Sequence, residues 1–595
     1  MVLVTQPVLQ MKCYSSLVDM IVNRAQTQPD HKAVVFIPDA QREEKTLTFR
    51  ELHEQASTLA CRLSTEAKPG DRALLLFPTG VEFVVSYFAC LMAGLVAVPL
   101  MPPRKTAGRD SSAAVIADCT PRLILTQAGG ETLNAPLRQY IDETDLVHIT
   151  VELTQTHQPY TAQPLSLDSL AFLQYTSGST SVPKGVMVGH GNLLANLDMM
   201  RRRLGNSGSS NHVSWIPLYH DLGLIMNLLQ PLSVGATSIL MTPSAFMHRP
   251  LNWLRAIHRF QAEVAAAPNF AYDLCVDRFR PEQMEGVDLS GWKLAINGAE
   301  PVRPVTLSRF AACFEPYGFH ASAMHPTYGL AEATLVASAA PRGHGPKIRE
   351  VSAENLRDRK IAHPLSQDDA WHIAGCGTAV DGLEIAIVDE TSGSRQERGL
   401  LGEIWLRGAS VAKGYWNRPE ESHETFQASI TDETGQGFGW LRTGDLGFVD
   451  DNGELYIAGR IKDLIIVRGV NYYPQDIEAT AAASHAALRR DHCAVFTVPD
   501  AHGSEQVILV QEVERTRRHD LDQREVIAAI RKAVSESHDI ALSRIVFIRP
   551  GTIPKTTSGK IQRYKTRQLW LENQLELLNA PNSFDIAAAM SAMPA

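Results

Sequence analysis

Side chains able to do chemistry are densest between Tyr175 and Gly185, where the chain reads Tyr-Thr-Ser-Gly-Ser-Thr-Ser-Val-Pro-Lys-Gly. Five serine and threonine hydroxyls, two glycines and a lysine fall within eleven residues. Hydroxyls and glycine-exposed backbone N–H groups can surround phosphate oxygens, and a lysine can neutralise their charge. The candidate phosphate contacts are therefore Thr176, Ser177, Gly178, Ser179, Thr180 and Lys184. A Walker A loop is excluded, because that motif places its lysine after the second glycine, whereas Lys184 precedes Gly185. A Ser/Thr-rich surface turn is the plainer reading of the composition alone.

A phosphate loop needs firm elements on either side. An apolar strand from Ala171 to Tyr175 precedes this one, and a helical pattern at Leu193, Leu194, Leu197 and Met200 follows. Further apolar or β-branched runs at 73–77, 96–100, 123–126, 238–241 and 293–297 alternate with helical patterns. This alternation predicts an α/β fold with largely parallel sheets. From Pro341 to Trp371 the chain is polar, interrupted by prolines and poor in periodicity, which reads as an insertion or a long loop. Runs at 384–388, 402–406 and 454–457 predict a small β-rich subdomain. Beyond about Gly459, a strand near Leu464 to Val467, an alanine-rich helix after Pro474, a strand at Ala494 to Val498 and a helix near Arg524 to Ser537 make a smaller α+β unit. The expected division is a body of two α/β subdomains plus the β-rich one over 1–458, and a C-terminal domain over 459–595.

Composition narrows the functional classes. The 595 residues are 44% hydrophobic and 20% charged, enough to bury a large core and unlike a disordered or disulfide-stapled chain. With 65 acidic against 56 basic side chains the formal charge is −9, which offers no global attraction to nucleic acid or an anionic membrane. The eight cysteines form no Cys-x-x-Cys pair, so a reducing cytoplasm is expected. The N-terminus lacks the apolar core of a secretory signal. Phe83 to Met101 approaches membrane-spanning length but contains Ser86, Gly94 and Pro99. It reads as a buried helix, Phe83 to Ala93, turning at Gly94 into a core strand, Leu95 to Leu100.

Four more motifs follow the hydroxyl-rich loop in order: Tyr328-Gly-Leu-Ala-Glu332, Thr443-Gly-Asp445, Gly459-Arg-Ile-Lys-Asp463 and Pro554-Lys-Thr-Thr-Ser-Gly-Lys560. With them the chain resembles, over nearly its whole length, the adenylate-forming superfamily of acyl-CoA synthetases, peptide-synthetase adenylation domains, luciferases and fatty acyl-AMP ligases. The resemblance implies that a carboxylate attacks the α-phosphate of ATP, giving acyl-AMP and pyrophosphate. Loop 176–184 would hold the β- and γ-phosphates, and Glu332 would bind Mg²⁺. Tyr328 and Gly329, together with the turn Asn297, Gly298, Ala299 and Glu300, would wall the adenine pocket, with the Tyr328 ring stacked on the base. Asp445 would hold the ribose hydroxyls with Arg460 as its partner. Lys560 would bridge the carboxylate and the α-phosphate. Lys462 would be the hinge of a mobile C-terminal domain, and His220, followed by Asp221, would position or gate the acyl site. Each has a plainer alternative: Tyr328 a core side chain, Glu332 a helix-dipole partner, Asp445 a turn cap, Lys462 a solvated charge. Lys555, Arg563, Lys565 and Arg567 read as a solvated basic face.

The runs Phe172 to Thr180, Asn297 to Val302, Tyr328 to Thr334 and Gly469 to Glu478 are most similar to fatty acyl-AMP ligases, and the Pro341 to Trp371 stretch falls where these carry an insertion. That branch passes the acyl group to the phosphopantetheine thiol of an acyl carrier protein, or of a polyketide or peptide synthetase carrier domain, in natural product biosynthesis. The chain ends soon after Lys560, so a separate carrier is expected. An acyl-CoA synthetase and a non-catalytic nucleotide or lipid sensor are the alternatives. A serine hydrolase is disfavoured by the lack of a Gly-x-Ser-x-Gly elbow.

Overall fold

The computed structural model describes residues 14–38, 43–102, 112–129, 133, 135–142, 144–154, 157–176, 183–431, 439–467, 470–499, 505–538, 540–556 and 559–578. The apolar run near Phe83 becomes the helix Val81–Met92, buried along all twelve residues. Gly94, at φ +72°, reverses the chain into the strand Val96–Leu100. The helix is apolar all round because it packs against strands of two different sheets. Each large apolar side chain buried this way contributes about 1.5–3 kcal/mol. Among the described residues no helix is long and apolar enough to cross a membrane.

The two sheets carry most of the body. One has the order Val147–Val151, Leu123–Gln127, Arg72–Leu76, Val96–Leu100, Leu170–Thr176, Lys184–Gly189, and only its last pair is antiparallel. The other runs parallel from Met324–Gly329 through Leu294–Asn297, Val264–Ala267, His212–Ser214 and Ser238–Met241 to Lys32–Ile37, with short antiparallel strands at both margins. The largely parallel α/β expectation holds.

The β-rich part is an antiparallel sheet of Leu383–Val388, Gly402–Gly408, Leu441–Val449 and Leu455–Arg460. Its third strand, which carries Asp445, was not anticipated. The polar stretch after Pro341 is no structureless loop. It holds the strands Ile348–Ser352 and Ala370–Ala374, paired antiparallel, and the short helix Ala353–Arg357. Val351, Leu356 and Ile373 supply its buried contacts, sharing a core with Leu446, Phe448, Tyr456 and, from the C-terminal segment, Tyr473.

The last segment is built on a sheet of Leu488–Pro499, Glu505–Val513 and Arg544–Ile548. Cys493 and Val495 face one apolar cluster while Ala494, Phe496 and Val498 face another, the period-two alternation of a strand covered on both sides. Helices Pro474–Ala483 and Gln523–His538 cover the first face, and Arg563–Leu571 packs on the second.

Candidate active site

The phosphate-loop candidates sit at the end of a hairpin. Leu170–Thr176 and Lys184–Gly189 pair antiparallel with Thr176 opposite Lys184, so a strand stands between the loop and the helix His190–Leu204. Ser177, Gly178, Ser179 and Thr180 lie outside the described residues. Gly185 is explained by space: a Cβ there would come within 2.9 Å of the Tyr175 ring, whose hydroxyl donates to Asp118 Oδ2 at 2.6 Å. The Lys184 ammonium pairs with the Glu421 carboxylate and lies 5.1 Å from the centroid of the Tyr415 ring.

Tyr415 reaches the second candidate group as well. Its hydroxyl donates to Glu332 Oε1 at 2.9 Å, and the Ala412 N–H donates to the Glu332 carbonyl at 2.8 Å. Glu332 lies in a single 3₁₀ turn, Ala331–Ala333, so its alternative as a helix-dipole partner has no helix to rest on. The turn closes through Thr334, a non-glycine residue at φ +72° held by a 2.6 Å bond from its hydroxyl to the Ser410 carbonyl.

Two parallel strands carry the residues expected to wall the adenine pocket. Leu294–Asn297 ends in Asn297, whose Nδ2 donates to Asn269 Oδ1 at 3.2 Å and whose Oδ1 is buried with no partner among the described residues. At Gly298 a Cβ would sit 2.7 Å from the Thr327 carbonyl oxygen, so this glycine lets the two strand ends approach. Ala299 takes φ +65°, and Glu300 turns back to accept the Phe270 N–H at 2.6 Å. Burial, partly offset by that bond, raises the Glu300 carboxyl above its ordinary pKa. Gly329 has the carbonyl of Leu335 within 1.7 Å of where its Cβ would be.

Tyr328 is buried, and its hydroxyl donates to Asp445 Oδ2 at 2.8 Å. Asp445 Oδ1 accepts from Arg460 Nε, also at 2.8 Å. Both carboxylate oxygens are thus engaged across elements, so the turn-cap reading of Asp445 fails. Asp445 also raises the Arg460 pKa further above its ordinary value, the largest influence on that guanidinium.

Lys560 comes to this place from the C-terminal segment. Its backbone closes a turn with Thr556, whose hydroxyl accepts the Lys560 N–H at 3.0 Å. Gly559, at φ +91°, lies so close to the body that a Cβ would fall 2.8 Å from the Phe270 ring. Burial lowers the Lys560 pKa, and Arg460 adds to the effect, while Asp221, Glu300 and Asp445 oppose it. A lysine from one lobe therefore feels four charged groups of the facing surface.

His220 Nδ1 lies 2.7 Å from Asp221 Oδ1. Both close a turn at the start of Leu222–Leu229, a π-helix in which the Gln230 N–H reaches back five residues to the Ile225 carbonyl. Asn227 Nδ2 donates to the Leu222 carbonyl at 3.1 Å, a side-chain bond within the wide turn. Gly223 permits it, since a Cβ there would be 2.2 Å from the Pro217 carbonyl. Asp221 is held below its ordinary pKa despite burial, through His220, Lys560 and the Leu222 N–H.

The expected basic face is corrected. Arg563 forms an ion triad with Glu478, at 2.7 Å from Nε to Oε1, and Asp463, at 2.9 Å from Nη1 to Oδ2. Lys555 donates to the Asp491 carbonyl at 3.0 Å and lies 3.1 Å from His492 Nε2. Arg567 donates to the Thr497 carbonyl at 2.9 Å. Lys565 alone of the four is exposed. Arg563 serves the buried carboxylate of Glu478, which requires a partner, while Lys555 and Arg567 satisfy backbone carbonyls. Lys462 is exposed on the turn Ile461–Asp463.

Sequence reasoning missed Tyr415, Glu421, Phe270 and the ion pair between Arg303 and Asp491 that joins the body to the C-terminal segment. The aromatic pair Tyr415-Trp416 followed by Asn-Arg-Pro-Glu-Glu, a helix start, was the available signal for the first two.

Comparison with known proteins places the chain in a family. A family model described as AMP-binding enzyme matches residues 21–416, and one described as Disco-interacting protein 2-like, AMP domain, matches residues 462–580. The chain is 40% identical over 575 residues to a medium-chain-fatty-acid–acyl-carrier-protein ligase, JamA, of Moorena producens, covering 95% of this chain and 96% of that protein. It is 37% identical over 595 residues to a protein of Mycobacterium tuberculosis named as a fatty-acid–CoA ligase, covering 95% and 99%. A solved fatty acyl-adenylate ligase from L. pneumophila, in complex with acyl adenylate and pyrophosphate, matches with a TM-score of 0.71 at 36% identity, covering 95% of this chain and 97% of that one. With its large N-terminal body and smaller C-terminal domain, the chain belongs to the AMP-binding enzymes and, among them, to the adenylate-forming fatty acyl-AMP ligases.

Proposed function

We propose that this protein activates a fatty acid with ATP and passes the acyl group to the phosphopantetheine thiol of an acyl carrier protein. The observation that carries the reading is the convergence of Lys560, brought in against Phe270, on a surface that presents Asp221, Glu300, Asp445 and Arg460. In the first step a carboxylate oxygen attacks the α-phosphorus. A new P–O bond forms, the bond to the oxygen bridging the β-phosphorus breaks, and pyrophosphate leaves with the electron pair. The carboxylate is already ionised at neutral pH, so no base is needed. Two anions must meet, and Lys560 supplies the charge that lets them. Thr176, Lys184 and the intervening loop hold the leaving phosphates. Asp445 takes the ribose hydroxyls with Arg460 beside it. Tyr328 and the 297–300 turn border the base, and His220 orients the acyl end.

Glu332 is the residue that would hold Mg²⁺. A single carboxylate beside the phosphate site, with no cluster of three acidic, histidine or cysteine side chains among the described residues, suits a cation whose other ligands are phosphate and water. When bound, that ion neutralises phosphate oxygens.

The second step has the thiol sulfur attack the acyl carbonyl, with loss of the thiol proton to solvent and departure of AMP. The 459–595 unit, hinged at Lys462, would rotate to admit the thiol. The segment from Pro341 to Trp371 favours a carrier over free CoA, because it ties body and C-terminal unit together: Arg357 Nη2 donates to the His538 carbonyl at 3.1 Å, and Asn471 Nδ2 donates to the Arg357 carbonyl at 2.9 Å. The relative named as a CoA ligase supports CoA as the alternative acceptor. Incubation with ATP, Mg²⁺, a fatty acid and either CoA or holo-carrier protein separates them. Carrier loading well above acyl-CoA formation is expected, and comparable rates would refute the carrier reading.

A further inference from the structure

Lys184, the lysine of the phosphate hairpin, has an anionic partner of its own in the chain. The carboxylate of Glu421 pairs with it from the first turn of the helix Pro419–Phe426. The Lys184 side chain is 17% exposed and that of Glu421 37%, so the carboxylate is the member of the pair with water to move into.

Glu421 is not a stray surface charge, because its helix is fastened to the phosphate hairpin. The Trp416 N–H donates to the Gly185 carbonyl at 2.7 Å, and Met187 donates to the Gly414 carbonyl at 2.9 Å. Arg418 Nη2 and the Tyr175 hydroxyl meet on the two oxygens of Asp118, at 3.1 and 2.6 Å. The Tyr415 N–H donates to Ser422 Oγ at 2.8 Å, and Ser422 Oγ donates to the Arg418 carbonyl at 2.6 Å. The strand Lys184–Gly189 and the start of the Glu421 helix therefore move as one piece. Below the ammonium lies the Tyr415 ring, whose hydroxyl is committed to Glu332.

A half-buried ammonium needs an anion whether or not nucleotide is present. Resting on the adenylation reading above, we propose that Glu421 is a positioning residue that stands in for phosphate on Lys184. It holds the ammonium over Tyr415 in the nucleotide-free enzyme and gives it up when the phosphates arrive. One anion is exchanged for another at the same cation. The exchange sets an upper limit on how tightly the site grips either ATP or pyrophosphate, and it pulls Lys184 away from pyrophosphate once the P–O bond has broken.

A residue serving only to hold the fold would weaken ATP binding when replaced. Glu421 acting as a competitor gives the opposite sign. Glu421→Gln should lower both the KM for ATP and the dissociation constant for pyrophosphate by about threefold to fivefold, the scale of a partly exposed ion pair. Glu421→Asp, which keeps the charge, should stay within about twofold of wild type in both. Glu421→Ala guards against an effect peculiar to glutamine and must give the same direction. Pyrophosphate affinity is measured by calorimetry, which needs no turnover, so absence of acyl-AMP from the wild-type enzyme would sink the adenylation reading and leave this test standing. Unchanged or weaker pyrophosphate binding in the glutamine and alanine variants overturns the proposal.

Discussion

Asp445 and Arg460 face each other as direct cross-strand partners of Leu441–Val449 and Leu455–Arg460, and a 2.8 Å bond from Arg460 Nε to Asp445 Oδ1 joins their side chains. The arginine stands immediately before the turn Ile461–Asp463, where the chain leaves the body. The carboxylate proposed to hold the ribose thus shares a bond with the residue at the exit to the C-terminal unit. Asp445→Asn keeps the shape and removes the charge from both the Arg460 and Tyr328 contacts. Loss of a charged hydrogen bond is worth about 1.5–3 kcal/mol, so the KM for ATP should rise roughly tenfold to a hundredfold in an adenylate-formation assay.

Lys560→Ala should reduce acyl-AMP formation by about a hundredfold to a thousandfold, the scale of removing one preorganised donor at the reacting centre. ATP binding, measured by calorimetry, should change by less than about threefold, because the loop and Asp445 remain. The pH profile gives a second check. Burial and Arg460 lower the Lys560 pKa, and the proposed role requires the ammonium. Activity is therefore full below the folded-state pKa and lost as pH rises through it, at a lower pH than an ordinary lysine would give.

The ion pair between Arg303 and Asp491 crosses from the body to the C-terminal strand, where Asp491 sits at φ +56°. Arg303→Glu should slow adenylation. Under the proposed rotation, which would part the pair, acyl transfer from supplied acyl-AMP should not be slowed. Restoration of adenylation in the swapped double variant, Arg303→Glu with Asp491→Arg, would assign the effect to the pair, whereas an additive loss would count against it.

Arg357→Ala removes the bond to His538 and the stacking over the Tyr472 ring, at 5.4 Å. It should raise the ratio of acyl-CoA to acyl-carrier product severalfold. An unchanged ratio would separate acceptor choice from this contact.

Three buried histidines predict acid sensitivity. Burial lowers the pKa of His190 to about 4, of His212 to about 3 and of His325 to about 4. His190 Nδ1 accepts the Leu17 N–H at 3.2 Å, which requires the neutral ring. The unfolded chain protonates these rings near pH 6.5, so between pH 6.5 and about 4 it binds more protons than the folded one. Stability is fully present above that window and falls as pH drops through it, by about 1.4 kcal/mol per pH unit for each group engaged. Thermal melts at pH 7, 6 and 5 should show a falling midpoint, and His212→Gln should flatten the slope.

What the sequence made legible was what depends on local periodicity and ordered motifs. Val81–Met92 and its turn at Gly94 were readable because an apolar run broken by glycine has few outcomes. The strand Leu441–Val449 was not, because Arg442, Thr443, Gly444 and Asp445 interrupt its alternation for the sake of the site. The helix Arg563–Leu571 escaped notice for a similar reason: it is strongly basic, buries only Thr566 and Leu569, and owes its position to ion pairs and to Trp570. Arg563 looked solvated because its partners, Asp463 and Glu478, are far away in sequence. Tyr415 and Glu421 had a local signal in the helix start that follows them, but their pairing with Glu332 and Lys184 is long-range and leaves no periodic trace.

The π-helix at Leu222–Leu229 carries one residue more than an ordinary α-helix would use to span the same length. A chain one residue shorter here could rewind the segment as α-helix, and the Leu222 carbonyl would lose its bond from the Asn227 side chain. The packing of the segment would improve, while the setting of His220 and Asp221 relative to everything downstream would rotate by about 100°, one residue's turn of a helix.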